Sequence, residues 1–438
     1  MWRLAYRTFS AVSALWFWTT RRFTAAGLLV LGTVVVAGAL GIDTNQTLAY
    51  QIFTLLGALL AAAMLAAMLL RPRFQVERSL PRMVTVGQSF SYLVKVTNLG
   101  PRAADGLALI EDMSDPRPAF AEFRAALKFP TYRGWWRMAM QNQLAHIGEL
   151  ALPALEARAE AEVRVQGLAY RRGTLRLVGA TVARADPLGL VRALATSAKP
   201  DKMIVLPRRY SLPPPSLPGA RKYQHGGVTL AASVGESEEF MSLRDYRPGD
   251  PLQRIHWKSF ARAGKPVVKE YQDEFFERHA LVLDTFAHEN AAREKAAGRD
   301  SAAFEEAVSV AASYACTLDT QECLLDLMFV GAEPYCYTAG RGQLQAGSLV
   351  EILAGVRISR GKAFRSLHDA LLERRAALSG CILILLAWDE ARRELVNVLQ
   401  RGGLPLQVLL VNEKPVDAAP PWLHVLVPGK IQEGLARL

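Results

Sequence analysis

Two stretches near the start of the chain, Phe23 to Ile42 and Thr44 to Leu70, contain no charged residue. As a helix, each stretch is long enough to cross a hydrocarbon core of about 30 Å, which takes about 20 residues. A short polar loop around Asp43 separates the two stretches. The pattern therefore predicts a hairpin of two transmembrane helices, at about 23–42 and 48–70.

Arginines lie on one side of this hairpin. They precede the first span and follow the second, at Arg3, Arg7, Arg21, Arg22, Arg71, Arg73, Arg78 and Arg82. Because the loop carries no positive charge, the positive-inside rule places both termini and the soluble domains in the cytoplasm. Residues 1–22 are predicted to lie at the bilayer interface, with the tryptophans of Trp2 to Trp18 as an aromatic anchor. A signal peptide cleaved near Ala37-Gly38-Ala39 is the alternative, but a second apolar run follows almost at once.

From Phe74 to about Lys199 the pattern changes to alternating apolar and polar residues, which is typical of half-buried strands. The predicted strands are 89–97, 161–166, 173–178 and 181–184. Short strands at this spacing predict an antiparallel β-sandwich over residues 74–199, which closes with the turn Asp186-Pro187-Leu188-Gly189-Leu190.

Residues of about 117–148 interrupt the alternation and predict a helical or long-loop insertion. The insertion contains an aromatic cluster of Tyr132, Trp135 and Trp136. One interpretation is a local cap on the sandwich, and the other is a surface that contacts the membrane or a partner.

A proline- and glycine-rich linker is predicted at residues 200–235. In the remainder, residues 236–438, short apolar strands alternate with helical segments. The predicted strands are 279–284, 323–330, 381–387, 405–411 and 423–427, and the predicted helices are 301–318, 346–355, 364–378 and 390–400. This alternation predicts an α/β domain with a mostly parallel sheet covered on both faces. Ligands of such sheets bind at the carboxyl ends of the strands, where Asp284 and Asp389 fall.

Between the linker and this sheet lies a segment rich in charges of both signs and in aromatic residues, Gly235 to Glu274, here called the motif segment. Pro248 and Gly249 fit the central positions of a type II turn. Asp250 is predicted to cap a short helix, with Pro251 at its first position and Gln253 completing a capping box. The helix should run to about Arg262 and end at Gly264, and a strand should follow from Pro266 to Tyr271.

The charges of the motif segment have two interpretations that do not exclude each other. The side chains concerned are Arg244, Asp245, Arg247, Asp250, Arg254, Lys258 and Arg262. In the first, they pair with one another and fasten two domains together. In the second, they form a docking surface or a site.

Composition agrees with a membrane-associated protein. The chain has 438 residues, enough for two or three domains, and 51% of them are hydrophobic. The net charge of +11 comes from scattered residues and not from a basic tail, so a nucleic-acid partner is not expected. The four cysteines show no CxxC spacing and are predicted to be reduced, as in the cytosol.

Sequence motifs of common enzymes are not found. The chain has no P-loop, no complete nucleophile elbow, no HExxH and no zinc spacing among its histidines. His256 lies near Ser259 and Asp250 in sequence, but helix spacing alone does not make a catalytic triad. An interface histidine is the preferred interpretation, and a hydrolase that uses His256 with a nearby acid is the alternative.

The sequence from Arg244 through Asp250, with Arg254-Ile255-His256-Trp257 and Ala261-Arg262, resembles the bacterial family catalogued as domain of unknown function 58. The resemblance extends to Leu80-Pro81, Val86-Gly87, Arg172-Gly173, the turn at 186–190 and the paired amino-terminal spans. It implies a protein of the bacterial inner membrane whose carboxy-terminal part is similar to a von Willebrand factor A domain, a Rossmann-like fold. It also implies association with a MoxR-type AAA+ ATPase and a role as an adaptor, not an enzyme.

An intact von Willebrand A metal site has Asp-x-Ser-x-Ser after its first strand. This chain keeps Asp284 but has Phe286 and His288 in place of the serines. Since phenylalanine offers no oxygen ligand for Mg²⁺, no metal or other cofactor is expected, and Asp284 and Asp389 are weak candidates. A metal-dependent ligand-binding A domain remains a further alternative.

These observations lead to one hypothesis. The chain is a multidomain membrane protein in which the hairpin is the anchor, the sandwich a spacer and the A-like domain the docking module. Trp257 would anchor the contact with an ATPase or its client. The surrounding site would be formed by Arg244, Asp245, Tyr246, Pro248, Gly249, Asp250, Arg254, His256 and Arg262.

Overall fold

The computed structural model describes residues 1–40, 47–69, 73–127, 129–213, 234–235, 240–248, 250, 252–271, 274–275, 277–286, 302–318, 323–331, 333–340, 346–359, 364–413 and 419–438. The chain divides into two compact units, the first formed mainly by Met1–Arg208 and the second mainly by the chain from Arg209 onwards.

The first unit begins with three helices, α1 (Trp2–Arg22), α2 (Ala25–Leu40) and α3 (Thr47–Leu69). One helical segment, Leu48–Leu69, is long and apolar enough to cross a membrane. Helix α2 is apolar but has 16 residues, which corresponds to about 24 Å of helix, less than a typical hydrocarbon core. Among the described residues, α3 is therefore the one helix that is both long and apolar enough to span a membrane, and the shorter apolar helix α2 packs against it.

Helix α1 packs one face on the predicted insertion, which forms helices α4 (Phe120–Ala126) and α5 (Tyr132–Asn142). The contacts are aromatic, and the rings of Tyr6 and Trp135 lie 5.1 Å apart in an edge-to-face arrangement. The other members of the cluster are Trp2, Phe9, Phe120, Phe123 and Tyr132. Trp135 is fully buried. Trp135 is therefore used in packing against α1, whereas Tyr132 of the predicted aromatic cluster stays 39% exposed, and the two interpretations of the insertion both stay predictions.

The sandwich contains strands β1 to β10: Phe74–Ser79, Met83–Thr85, Ser89–Asn98, Leu107–Met113, Ala145–Ile147, Leu150–Ala151, Glu160–Ala169, Gly173–Ala185, Arg192–Ser197 and Asp201–Leu206. One sheet has the order β1-β3-β7-β5, and the other has the order β2-β10-β8-β4-β6 with β9 also paired to β8. Both sheets contribute side chains to one core, among them Val94, Val165, Leu109 and Leu177. The described pairs are antiparallel except β2 with β10, which is parallel.

The predicted strands correspond to β3, β7 and β8, whereas β1, β2, β4, β5, β6 and β9 were not predicted. Two further details differ from the prediction. Residues 173–178 and 181–184 form one continuous strand, and Gly179 lies within it instead of in a turn. Gly179 allows the backbone of Ser197 to approach closely, because a Cβ at position 179 would lie 2.7 Å from the carbonyl oxygen of Ser197. Strand β10 lies in the stretch assigned to the linker, yet it pairs with β2 and β8. The sandwich therefore extends to Leu206.

The second unit begins with four short strands, β11 (Val234–Gly235), β12 (Phe240–Asp245), β13 (Val267–Tyr271) and β14 (Glu274–Phe275), with helix α6 (Trp257–Ala263) between β12 and β13. Strand β11 pairs with β14, and β12 pairs with β13, both antiparallel. The strand predicted at 266–271 is present, whereas its partner β12 was not predicted.

A six-stranded sheet follows, formed by β15 (Glu277–Leu283), β16 (Cys323–Val330), β17 (Pro334–Ala339), β18 (Gly380–Leu385), β19 (Leu406–Val411) and β20 (Leu423–Leu426). The order is β17-β16-β15-β18-β19-β20, and all pairs are parallel except the edge pair of β16 and β17. Strand β17 is the one strand of this sheet that the sequence analysis missed.

The helices of this part of the chain are α7 (Ala302–Thr317), α8 (Ala346–Gly355), α9 (Arg365–Arg374), α10 (Glu390–Arg401) and α11 (Ile431–Leu435). Helices α7, α9, α10 and α11 pack on the sheet. Leu371 of α9 and Leu395 of α10 share a core with Val282 of β15. Helix α7 also contacts β15. Alternate residues of β15 point to opposite faces, and both Val282 and Leu283 are fully buried, so both faces of the strand are covered.

Candidate functional site

The motif segment is built on the antiparallel pair β12 and β13, in which Arg244 lies opposite Val268 and Asp245 opposite Val267. Two further backbone contacts fold the connection back on this pair: Tyr246 N donates to Pro266 O at 2.9 Å, and His256 N donates to Val267 O at 2.8 Å. The residues between the strands are therefore held against the hairpin.

Asp250 is the centre of the turn after β12. Its carboxylate accepts hydrogen bonds from Arg244 Nη1 and Nη2, both at 2.7 Å, and from Arg247 N at 2.8 Å. The bidentate bond with Arg244, together with the bond from the Arg247 amide, lowers the pKa of Asp250 from 3.8 to about 2. The carboxylate is therefore ionised at neutral pH, and the pair is lost only as the pH falls from about 4 through about 2.

The predicted helix cap at Asp250 is wrong. The carboxylate instead accepts bonds from two residues that precede it, Arg244 and Arg247, because a bidentate bond to a guanidinium is stronger than a single capping bond from a backbone amide. Leu252–Arg254 instead forms a 3₁₀ turn, and α6 begins only after His256. The predicted helix end is confirmed, since Gly264 adopts the left-handed conformation with φ of 65°.

His256 makes one of the two contacts that a hydrolase would need. Its Nδ1 lies 2.6 Å from Ser259 Oγ. In the part of the chain that the structure describes, no ion pair joins His256 to an acid, and Asp250 is paired with Arg244. The structure thus brings His256 and Ser259 together without completing a triad.

Helix α6 exposes nearly all of its side chains. Trp257 is 64% exposed and its ring packs edge-to-face on Phe260, with centroids 6.1 Å apart. Lys258 and Arg262, which are neighbours one helical turn apart, are also exposed. We call Trp257, Lys258, Phe260 and Arg262 the Trp257 surface, which combines an exposed aromatic pair with two positive charges.

The remaining predicted residues of the motif segment lie in β12, in the turn after it and in the 3₁₀ turn before α6. Asp245 and Pro248 are exposed, and Tyr246 is half-buried. Arg254 ends the 3₁₀ turn, but its side chain is not among those described, and Gly249 lies outside the described residues.

A second cluster lies at the carboxyl ends of β15 and β18. In the order of the chain this sheet reads 3-2-1-4-5-6, so the order of strands reverses between β15 and β18. Such a reversal creates a crevice that many α/β proteins use for ligands. The predicted pair Asp284 and Asp389 meets here, joined by Arg392, whose Nε donates to Asp284 Oδ2 at 2.6 Å and whose Nη1 donates to Asp389 Oδ2.

Arg392 was not predicted, although the sequence contains a signal for it. It lies three, four and seven residues before Leu395, Val396 and Leu399, which form the buried face of α10. A charged residue in the apolar stripe of an amphipathic helix must find a buried partner. The spacing could therefore have pointed to Arg392 as the partner of a buried acid.

Comparisons with known proteins are consistent with the sequence resemblance. Residues 242–361 match the profile of the family described as Protein of unknown function DUF58. The Uncharacterized protein YeaD of Bacillus subtilis (strain 168) is 29% identical over 251 residues, which cover 56% of this chain and 58% of that protein. The chain thus matches little more than half the length of this curated relative.

The similarity of this chain to solved structures is weak. The CARDB domain of the PF1109 protein from Pyrococcus furiosus is 17% identical, with a TM-score of 0.18, over 31% of this chain and 88% of that domain. Escherichia coli alpha-2-macroglobulin is also 17% identical, with a TM-score of 0.19, over 30% of this chain and 6% of that protein. The chain is thus similar to the DUF58 family over residues 242–361, which include most of the motif segment, and to YeaD over little more than half of its length.

Proposed function

We propose that this chain is a non-enzymatic, membrane-anchored adaptor that docks a MoxR-type AAA+ ATPase or its client. The observation that carries the proposal is the Trp257 surface, an exposed aromatic pair beside Lys258 and Arg262. Exposed tryptophans flanked by arginines are typical of the residues that dominate binding energy at protein interfaces. The positive charges favour a partner with an acidic surface around an apolar pocket.

The strand order of the second unit supports the A-like interpretation. A central parallel sheet of order 3-2-1-4-5-6 with helices on both faces is the arrangement expected of a Rossmann-like domain. In this proposal, the motif segment and this domain together form the docking module. Arg244 and Asp250 hold the turn from which α6 projects, so they shape the surface without contacting the partner directly.

Loss of Trp257 should weaken partner capture without unfolding the chain. Because its side chain is exposed, Trp257→Ala removes few internal contacts, whereas a central interface tryptophan contributes about 2 kcal/mol or more, a loss of roughly 30-fold in affinity. The measurement is affinity capture of the detergent-solubilised full chain from its native membrane, with and without ATP, followed by mass spectrometry. Tyr170→Ala, an exposed aromatic of the sandwich, is the matched control.

Asp250→Ala should also reduce capture, because it frees Arg244 and opens the turn before α6. An AAA+ ATPase that is enriched in one nucleotide state and lost in both variants supports the adaptor. If wild-type protein captures no ATPase in either state, or if both variants capture it as well as wild type does, the Trp257 surface is not its docking site.

A hydrolase is the second candidate, favoured by the contact between His256 and Ser259. The two candidates differ in what His256→Gln does. An adaptor should retain ATPase capture and its function in cells, because glutamine keeps a polar side chain at this half-buried position. A hydrolase should lose its function, since glutamine cannot act as a general base.

The anchor is proposed to be a hairpin of α2 and α3 in the bacterial inner membrane, with both termini in the cytoplasm. Helix α3 supports a span by length and composition, and α2 follows α1 after only two residues. On the side of α1 opposite its aromatic contacts, Leu4, Leu15 and Trp18 are exposed. An exposed apolar stripe next to Arg7 and Arg22 suits the head-group layer of an anionic bilayer.

This topology predicts which residues a membrane-impermeant maleimide can reach. In intact cells, the Asn45→Cys variant should be labelled in the predicted outer loop, whereas the native Cys316, which is exposed, should not be labelled. Cys316 should react after lysis, which provides an internal control for its accessibility. The proposed orientation would be contradicted if Cys316 is labelled in intact cells, or if the thiol introduced by Asn45→Cys is protected before lysis and labelled after it.

A further inference from the structure

All four carboxylate oxygens of Asp284 and Asp389 already have hydrogen-bond donors. Asp284 Oδ1 accepts from Phe286 N at 2.9 Å, and its Oδ2 accepts from Leu386 N at 3.1 Å and from Arg392 Nε at 2.6 Å. Asp389 Oδ1 caps α10 by accepting from Arg392 N at 3.0 Å, and its Oδ2 accepts from Arg392 Nη1. Neither carboxylate has an oxygen that lacks a donor.

The Asp284 side of this cluster is closed off from water, whereas the side chain of Asp389 is 41% exposed. Asp284 is 0% exposed and Arg392 is 3% exposed. The ring of Phe364 covers the guanidinium, with its centroid 4.7 Å from the guanidinium carbon. The face of an aromatic ring attracts a cation, so this contact partly compensates Arg392 Nη2, which has no hydrogen-bond partner among the described residues.

The charges of the cluster are nearly balanced from within the chain. Burial alone would lower the pKa of the Arg392 guanidinium, but Asp284 and Asp389 outweigh it and raise that pKa. The guanidinium neutralises one of the two carboxylates. In addition, the amides of Phe286 and Leu386 stabilise the carboxylate of Asp284, and the amino end of α10, where negative charge is favoured, stabilises that of Asp389.

A divalent cation does not fit these residues. The von Willebrand A resemblance implies Mg²⁺ at this edge, and Mg²⁺ requires six oxygen ligands in octahedral geometry. The hydroxyl of Thr285 is a further nearby oxygen, but it donates to Val330 O at 2.5 Å. No group of three or more potential metal ligands of the His, Cys, Asp or Glu type occurs among the described residues.

We infer that the Arg392 guanidinium is a permanent internal cation that takes the position of a divalent metal ion between Asp284 and Asp389. The edge of the sheet is therefore held in one charge-balanced state, and any partner that binds there does so without Mg²⁺ or Ca²⁺. This inference does not depend on the adaptor proposal, because it concerns how the carboxylates of Asp284 and Asp389 are compensated and not which partner binds.

The inference is tested by comparing the wild-type full chain in detergent with Arg392→Ala and with the control Arg393→Ala. Arg393 is the next residue of α10, is exposed, and bonds through its side chain to Trp388 O at 3.1 Å. Mn²⁺ binding is followed by electron paramagnetic resonance, and thermal unfolding is measured in chelator, in millimolar Mg²⁺ or Mn²⁺, and in millimolar guanidinium.

Wild type and Arg393→Ala should bind no Mn²⁺ at this site and should melt at the same temperature with and without divalent ions. Arg392→Ala should melt roughly 10 °C lower in chelator, because two carboxylates lose their cation, and should recover part of this loss with Mn²⁺ or guanidinium. If this variant does not fold, Arg392→Lys, which keeps a charge but cannot bridge both acids, should show a smaller loss with the same recovery.

Three results would overturn the inference. The first is stoichiometric Mn²⁺ binding by wild type that Asp284→Asn abolishes, since the edge would then be an ordinary metal site. The second is an Arg392→Ala variant as stable as Arg393→Ala. The third is a destabilised Arg392→Ala or Arg392→Lys variant that no added cation restores, which would show that the position does not act as a cation site.

Discussion

Replacing Glu111 with alanine should destabilise the sandwich by about 3–5 kcal/mol, because it leaves a buried guanidinium without its main partner. Arg78 donates to Glu111 through Nε and Nη2, the shortest distance being 2.8 Å, and the two side chains are 0% and 1% exposed. Arg78 also donates to Lys199 O at 2.8 Å and to Asp201 at 3.3 Å. These remaining contacts are too few to compensate a buried charge.

The effect is best measured by hydrogen exchange of β3 and β8 peptides in the full chain as urea is added, which separates the sandwich from the second unit. Glu160→Ala is the matched control, because Glu160 pairs with Lys95 in the same sandwich but both side chains are about half exposed. An exposed pair contributes at most about 1 kcal/mol. Equal losses in the two variants would mean that the buried pair has no special role.

The sequence predicted the elements of the second unit better than their arrangement. Strands such as Cys323–Val330 were recognisable because a strand buried on both faces appears in the sequence as a continuous apolar run. The helix at 302–317 was also predicted. The strand order was not, since it depends on contacts between strands that lie far apart in sequence. For the same reason, neither β12 nor the edge strand β17 was predicted.

The main residues whose roles the sequence analysis did not predict are charged residues at core positions. Arg78 was counted with the arginines that flank the membrane, although it lies two residues after the buried Val76 and so faces the core of the sandwich. Arg392 lies on the buried face of α10 in the same way. In both places, a charged residue occurs at the spacing of the buried apolar residues of its strand or helix, and it belongs to a buried ion pair. The number of charged residues in a segment does not reveal such a pair.

The motif segment shows a further limit of local rules. Asp250 has the sequence context of a helix cap, and the structure uses it as the partner of Arg244, six residues earlier. Capping rules consider only a residue and the few residues that follow it. The bond between Asp250 and Arg244 depends instead on strand β12, which holds Arg244 in place. The end of the same helix at Gly264 was predictable, because a left-handed glycine is a property of one residue.

The turn at residues 186–190, noted in the sequence only as a turn, connects the sandwich to the apolar helices. The Asp186 carboxylate accepts bonds from the amides of Leu188, Leu190 and Val191, at 2.6 to 2.9 Å, and so fixes the loop. The loop contacts the start of α2, where Thr24 Oγ1 donates to Gly189 O at 2.5 Å. A cluster around it includes side chains of α3, Leu60, Ala63 and Ala67.

Gly27→Leu should therefore separate this loop from α2. A Cβ at Gly27 would lie 1.9 Å from the carbonyl oxygen of Leu190, a backbone atom that cannot move aside without breaking the bonds to Asp186. Overpacking costs about 1–3 kcal/mol where side chains can adjust, so a backbone clash should reach about 3 kcal/mol or more. The expected result is about 100-fold faster hydrogen exchange at residues 186–191 in the full chain.

Gly32→Leu is the control, because Gly32 lies in the same helix and an added Cβ there meets nothing within 4 Å. Both variants add the same apolar side chain to α2, so they change its membrane affinity and helix propensity alike. A difference between them reports only the contact with the loop. If Gly27→Leu exchanges no faster than Gly32→Leu, the loop is not what holds the sandwich to α2. The aromatic contacts of α1 with the α4–α5 insertion would then have to carry the attachment of the helices alone.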